Sequence, residues 1–251
     1  MKKLNAEDYT ASARYIDPSS CGVVYPYSIA EQIQRGDIFA DSRSALFWHD
    51  SGFAFAYGEY SGAFLDWIYG TFLSDRSAAL RRFILFISDE RVKDTFSNRG
   101  NIICGRRFFF EFREERSQNI PSLPAGFRLR EIDGELLEKI HGNITPAFSW
   151  SVAGEFLQKG KGYCILKGEN AAAWAFAAAV SGEEIDIGVE TNSSYRQLGL
   201  GTIAAQAMVR YTLEQGKRPV WACHSRNIAS QKLAYKLGFE KSAECCILKR
   251  K

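Results

Sequence analysis

At 251 residues, with 46% apolar and 24% charged residues, the chain has the apolar content for a sizeable core and the length for two smaller domains. Its net charge of +3, with both signs spread along the chain, is too small to argue for nucleic acid, and the pairs Arg81-Arg82 and Arg106-Arg107 read as solvated surface. The longest apolar run, 171–180, is far short of a membrane span and the N-terminus lacks a signal-peptide stretch, so a cytoplasmic protein with six reduced cysteines is expected.

Taken in chain order, the leading half mixes both element types. Apolar patterning predicts strands over 45–49, 53–58, 83–87 and 107–112, and helical spacing predicts helices over 28–34, 63–73 and 91–97. The aromatic residues crowded here (Phe39, Phe47, Trp48, Phe53, Phe55, Tyr57, Trp67, Phe72) read as core, with some left to line a small-molecule cleft. Pro121-Ser122-Leu123-Pro124-Ala125-Gly126, after the charged stretch 113–116, is the best boundary. It predicts a domain over 1–120, a linker over 121–126 and a domain over 127–251.

Beyond it the pattern gives strands over 127–131, 163–167, 171–180, 184–190, 219–223 and 244–248. Helices are expected over 134–141, 149–159, 202–215 and 228–237, the last stopped by Gly238-Phe239. Between strand 184–190 and helix 202–215 lies Tyr195-Arg196-Gln197-Leu198-Gly199-Leu200-Gly201. A glycine-containing loop that opens a helix presents unpaired N–H groups at the positive end of the helix dipole, where phosphate binds. Its glycines let a ligand approach the main chain, and Arg196 adds a charge of the right sign. On the loop alone, glycines that merely turn the chain into the helix are the lesser, alternative reading.

Gly199 to Ala204 also fits the dinucleotide pattern G-x-G-x-x-G/A, but three observations oppose it. Gly199 lies ten residues past Val189 rather than in a tight turn after the strand. The next strand ends in His224 where an acidic residue should hold the ribose, and too little chain follows for a doubly wound sheet.

This element order, with Arg196-x-x-Gly199-x-Gly201 after the fourth strand, resembles the GNAT superfamily of acyl-CoA-dependent N-acetyltransferases over about the last half of the chain. The segment from Asn227 to Phe239 is similar to that family's helix ending in K-L-G-F. Trp221-Ala222-Cys223 and the long leading half are most similar to its zwittermicin-resistance-type branch. The resemblance implies a mixed α/β protein whose C-terminal GNAT fold has a central, mostly antiparallel, splayed sheet flanked by helices. The α/β N-terminal half is then open to being a degenerate GNAT-like copy. Its Gly58-Glu59-Tyr60-Ser61-Gly62 carries acid where the other half has Arg196, so a phosphate loop there would have been lost.

Acetyl transfer to an amine requires that the cofactor be held, the amine be neutral, and the leaving thiolate be stabilised or protonated. The resemblance implies acetyl-CoA, with Arg196 and the amides of Gln197, Leu198, Gly199, Leu200, Gly201 and Thr202 around its pyrophosphate. The strand end from Val189 to Thr191 would pair with the pantetheine arm. Asn227 is either a helix N-cap or a contact to that arm. Ser230, Lys232 and Tyr235 are close enough on the same helix to touch it.

Glu184 and Glu190, with Asp186 between them, are the carboxylates nearest the loop on the strand's polar face. Each reads equally as candidate base or as a solvated strand edge. His141 and His224 are further candidates, and no metal-ligand spacing is present. The leaving thiolate is where the chain departs from the resemblance. Many relatives carry a tyrosine acid four residues before the K-L-G-F glycine, where this chain has Ala234. Tyr235 is one place on, a turn of about 100° around the helix, so spacing alone does not give it the acid role.

The expected activity is acetyl transfer from acetyl-CoA to a primary amine of a small molecule, with neither nucleic acid nor membrane as partner. A second reading is a non-catalytic CoA-binding GNAT-fold module, a sensor or scaffold, and a homodimer is compatible with both. The loop supports the two equally, and Ala234 favours the second.

Overall fold

The apolar runs of the first 110 residues build strands β1 (Lys2–Lys3), β2 (Gly36–Ala40), β3 (Ser44–His49), β4 (Phe53–Gly58) and β5 (Ile84–Ile87), side by side in that order. The computed structural model describes all residues except 75–80, 88–89, 98–99 and 115–120, and only the backbone of Glu90, Arg91 and Ser97. The end of the charged stretch 113–116, and of the domain expected over 1–120, lies outside the described residues. Neighbouring strands are antiparallel except β4 and β5, which are parallel. Gly58 ends β4 at φ 90°, and a Cβ there would collide with the Arg43 carbonyl, so the turn requires glycine.

The α-helices of this region are α1 (Tyr9–Ser12), α2 (Val24–Ala30), α3 (Gly62–Ile68) and α4 (Glu90–Ser97), α3 running on into a wider turn over Tyr69–Leu73. The helix expected over 28–34 lies earlier, as α2. Pro26 is tolerated near the helix start, and Gln32, at φ 56°, leaves helical backbone. The aromatic crowd is core, as expected: Phe47, Trp48, Phe53, Phe55, Tyr57 and Phe72 are buried, and Phe39 and Trp67 pack against them. Phe72 and Phe83 stack with centroids 4.5 Å apart.

The second set of strands is β7 (Phe127–Glu131), β8 (Gly162–Lys167), β9 (Asn170–Val180), β10 (Glu184–Thr191) and β11 (Arg218–His224), again in sequence order and again antiparallel except for the last pair. The alanine run of β9 is almost wholly buried, and its small side chains let α7 (Leu200–Glu214) lie close against the strands. Helices α5 (Gly134–Lys139) and α6 (Ala153–Lys159) precede β8, and α8 (Ile228–Lys236) follows β11. Trp150 donates its indole N–H to the Ala177 carbonyl at 2.8 Å and packs edge-on to Phe156.

The two compact units differ from the domains expected over 1–120 and 127–251. The first contains residues 1–109, 224–226 and 243–251; the second contains 110–223 and 227–242. Strands β6 (Ile102–Phe112) and β12 (Phe239–Arg250) each supply residues to both units. The reason lies in pairing. The outer part of β12 joins β5 in an antiparallel ladder, with Cys246 opposite Ile87 and Leu248 opposite Leu85. Segment 121–126 is irregular chain within the second unit.

Each unit therefore carries the same signature: antiparallel strands, then one parallel pair, then a helix after the inner strand of that pair. In the first unit the ladder of β4 and β5 covers 53–55 against 84–86, after which β4 continues to Gly58. Ser20, Cys21, Tyr57 and Cys245 line a small pocket of about 20 Å³ beside this end of β4. The following helix is closed by Ser61, whose Oγ accepts from Phe64 N at 3.2 Å. In the second unit the corresponding helix start, at Gly199, has no side-chain cap.

Candidate functional site

Strands β10 and β11 share only three register pairs, Glu184↔Arg218, Ile185↔Pro219 and Asp186↔Val220, although both continue. The ladder of β10 with β9 slips between Asp186 and Ile187, and such a bulge bends a strand and raises its twist. The parallel pair parts there. The side of β10 that faced β11 becomes a sheet edge over 187–191, which can accept an extended amide-bearing chain as an added strand. Val189 and Thr191, the residues expected to meet the pantetheine arm, are half-buried on this stretch.

At its far end the chain turns through Asn192, whose Oδ1 accepts from Ser194 N at 3.1 Å, and Tyr195 sets its ring edge-on to Phe127. Gln197 and Gly199 both take positive φ, 66° and 75°. Gly199 is the N-cap of α7 and has no side chain to close the first turn. The first intrahelical bond is made by Thr202 N to the Gly199 carbonyl at 3.0 Å, so the amides of Leu200 and Gly201 precede it at the positive end of the helix dipole.

Leu200 and Thr202 bury their side chains, so their offering to a ligand is backbone. Arg196, Gln197 and Leu198 are exposed at the loop tip. A Cβ on Gly201 would lie 2.8 Å from Thr191 Oγ1, so helix start and strand end touch through a bare main chain. This uncapped, side-chain-free hollow suits a phosphate group.

The three carboxylates of β10 fall in different places. Glu184 begins the strand, at the end remote from the loop, and accepts from Arg218 Nη2 at 2.9 Å. Glu190, near the loop, accepts from Ile144 N at 2.6 Å. A Cβ on Gly142 would collide with the same carboxylate and with the Trp174 ring, whose indole N–H donates to the Ile144 carbonyl at 2.8 Å. Asp186 is buried at the vertex where the parallel pair parts. Segment 142–145 fastens onto β10 through Glu190, a partner 46 positions away that local patterning does not reveal.

On α8, Asn227 is the N-cap: its Oδ1 accepts from Ser230 N at 3.1 Å, which leaves the amide NH₂ as its donor. Ser230 Oγ accepts from the Trp221 indole at 3.0 Å, fixing α8 against β11. Ala234 is fully buried, whereas Tyr235, one step around, is 48% exposed and meets Phe110 edge-on with centroids 5.6 Å apart. His141 is exposed. His224 Nδ1 accepts from Arg226 N at 3.1 Å, and burial pushes its pKa below the usual histidine value.

The sequence model of the GNAT acetyltransferase family matches residues 22–248. The chain is 26% identical over 258 positions to the uncharacterized N-acetyltransferase YdfB of Bacillus subtilis, covering 98% of this chain and 97% of that protein. Among solved structures, it is similar to a GCN5-related N-acetyltransferase-like protein from Streptococcus suis, with TM-score 0.77, 23% identity, and coverage of 98% and 99%. A tandem GNAT protein from the clavulanic acid biosynthesis pathway shares the fold at TM-score 0.63 and 12% identity, covering 98% of this chain and 96% of its own.

Proposed function

This chain belongs to the GNAT acetyltransferase family, and on that premise we propose that it moves the acetyl group of acetyl-CoA onto a primary amine of a small molecule. The observation that carries the reading is the strand edge of β10 leading to a helix start with no side-chain cap, where the corresponding helix of the first unit is capped by Ser61. When bound, acetyl-CoA supplies the thioester to be attacked.

The amides from Gln197 to Gly201 and the Arg196 guanidinium hold the pyrophosphate, the Thr202 amide being taken by the Gly199 carbonyl. Val189 and Thr191 pair with the pantetheine amides, and Asn227 and Ser230 stand at the start of α8 on the arm's other side. The base is a carboxylate on the polar face of β10. Asp186, buried at the vertex, takes the proton of the incoming ammonium. Glu190 is a second candidate through the oxygen not committed to Ile144. Glu184, engaged by Arg218, holds the two strands together.

A thiol-release assay with acetyl-CoA over a panel of amines, amino sugars and polyamines tests the proposal. Turnover of at least one amine, lost in Asp186→Asn, is expected. Tight CoA binding with no amine acetylated favours the second reading, a CoA-binding module, for which the observation is Ala234 at the acid position with Tyr235 turned outward.

A further inference from the structure

Of the pairs Arg81-Arg82 and Arg106-Arg107, expected to be solvated surface, Arg82 and Arg106 are exposed, whereas Arg81 and Arg107 are half-buried. Arg82, Arg106 and Arg107 line a cavity of about 650 Å³ built wholly within the first unit. That volume falls in the range of small-molecule pockets. Among the described residues its wall carries six cationic side chains, these three with Lys93, Arg226 and Lys249, against one carboxylate, Glu244. Glu244 is held by Arg106 at 2.7 Å. The chain as a whole has an excess of only three positive charges, so this concentration is local.

The floor is aromatic and fixes the guanidinium planes. Arg107 lies 4.8 Å from the Phe53 ring centroid and 5.9 Å from that of Phe86, and Arg82 lies 5.3 Å from Phe53. Two guanidinium groups on one ring repel each other, and burial with the nearby Arg107 pushes the Arg82 pKa below its ordinary value. An arginine guanidinium can fork onto a carboxylate or phosphate.

His224 adds a donor. Its Nδ1 accepts from Arg226 N, so the neutral ring carries its proton on Nε2, and Gly105, without a Cβ, keeps that nitrogen clear: a Cβ there would lie 3.2 Å away.

We infer that this basic cavity binds a small polyanion, a molecule carrying two or more phosphate or carboxylate groups, at a site distinct from the loop before α7. An entering anion offsets the crowding of like charges on this wall. The assignment does not depend on acetyl transfer.

Calorimetry of the full chain at low salt, with inorganic pyrophosphate and citrate as probes, tests it. Saturable binding of at least one probe is expected, weakening as salt rises. Arg107→Gln and the exposed Arg226→Gln should each weaken it about tenfold or more, as loss of a charge-assisted hydrogen bond implies. Arg128→Gln, which removes an exposed charge outside the cavity, should leave it unchanged, and circular dichroism should report a retained fold. Which probe binds tighter identifies phosphate or carboxylate as the natural group. The inference is overturned if neither probe saturates at millimolar concentration, if Arg226→Gln binds like the parent, or if Arg128→Gln alone abolishes binding.

Discussion

The carboxylate of Glu190 holds the backbone N–H of Ile144 at 2.6 Å while the indole of Trp174 holds the carbonyl of the same residue at 2.8 Å. Both main-chain groups of Ile144 are thus fastened to neighbouring strands, and the segment before Pro146 is fixed over β10. Glu190→Gln keeps an acceptor for the N–H but cannot take a proton; Glu190→Ala loses both. We expect the glutamine variant to stay within about threefold in kcat/KM and the alanine variant to lose at least about tenfold, chiefly through KM. A kcat loss of about 10² or more in the glutamine variant, largest at low pH, would make Glu190 the base.

Gly201 faces Thr191 Oγ1 with no room for a methyl group. Gly201→Ala should therefore weaken CoA binding about tenfold or more by calorimetry, and Gly201→Asp should abolish it by setting a carboxylate against the pyrophosphate. Thr191→Ala removes the obstructing oxygen, so the double variant Gly201→Ala/Thr191→Ala should bind better than Gly201→Ala alone. Additive losses would show that the contact is not the cause.

Tyr235 packs edge-on to Phe110 and is 48% exposed, while Ala234 faces inward. Tyr235→Phe should change turnover less than about threefold. A positioned general acid is worth about 10² to 10⁴ in rate, so a loss of that size would place the Tyr235 hydroxyl at the leaving thiolate.

A fragment beginning near residue 125 lacks β5, and Cys245 to Leu248, buried in the whole chain, then lose the partner strand that pairs them. Such a fragment should aggregate or stay partly unfolded, seen as sedimentation of large species and loss of near-ultraviolet dichroism. A monomeric, cooperatively unfolding fragment would show that this pairing is dispensable.

His49 is fully buried beside Tyr25 and Ser51, and burial lowers its pKa from 6.5 to about 3. The unfolded chain therefore binds this proton between those values and the folded chain does not. The contribution is complete above about pH 6.5 and is lost as pH falls toward 3, at no more than about 1.4 kcal/mol per pH unit. In His49→Gln the acid side of a plot of Tm against pH should be shallower; an unchanged slope would remove His49 from the acid response.

The second unit was largely legible. Local signals sufficed for the strand 184–191, the glycine loop and α8, because period-2 alternation, loop glycines and an Asn cap act within a few residues. What escaped depends on distant partners. The pattern of 244–248 announces a strand but not its neighbour, and Ile87 lies 159 positions from Cys246. Arginine pairs look alike on a surface and in a cavity, since what distinguishes Arg107 is Phe53 beneath it. Likewise, alternation put Glu184, Asp186 and Glu190 on one face, while only the bulge after Asp186 decides which stands at the vertex.

The pairing of β5 with β12 also sets a timetable for biosynthesis. The ladder joins Leu85 to Leu248, so β5 emerges from the ribosome long before its partner exists. At about 5 to 20 residues per second the interval is roughly ten to thirty seconds. During it, an apolar strand from Ile84 to Ile87 waits with one edge unsatisfied. The nascent first unit is thus a client for chaperones at a stage when the hydrogen-bond ladders of β7 to β11 can already close.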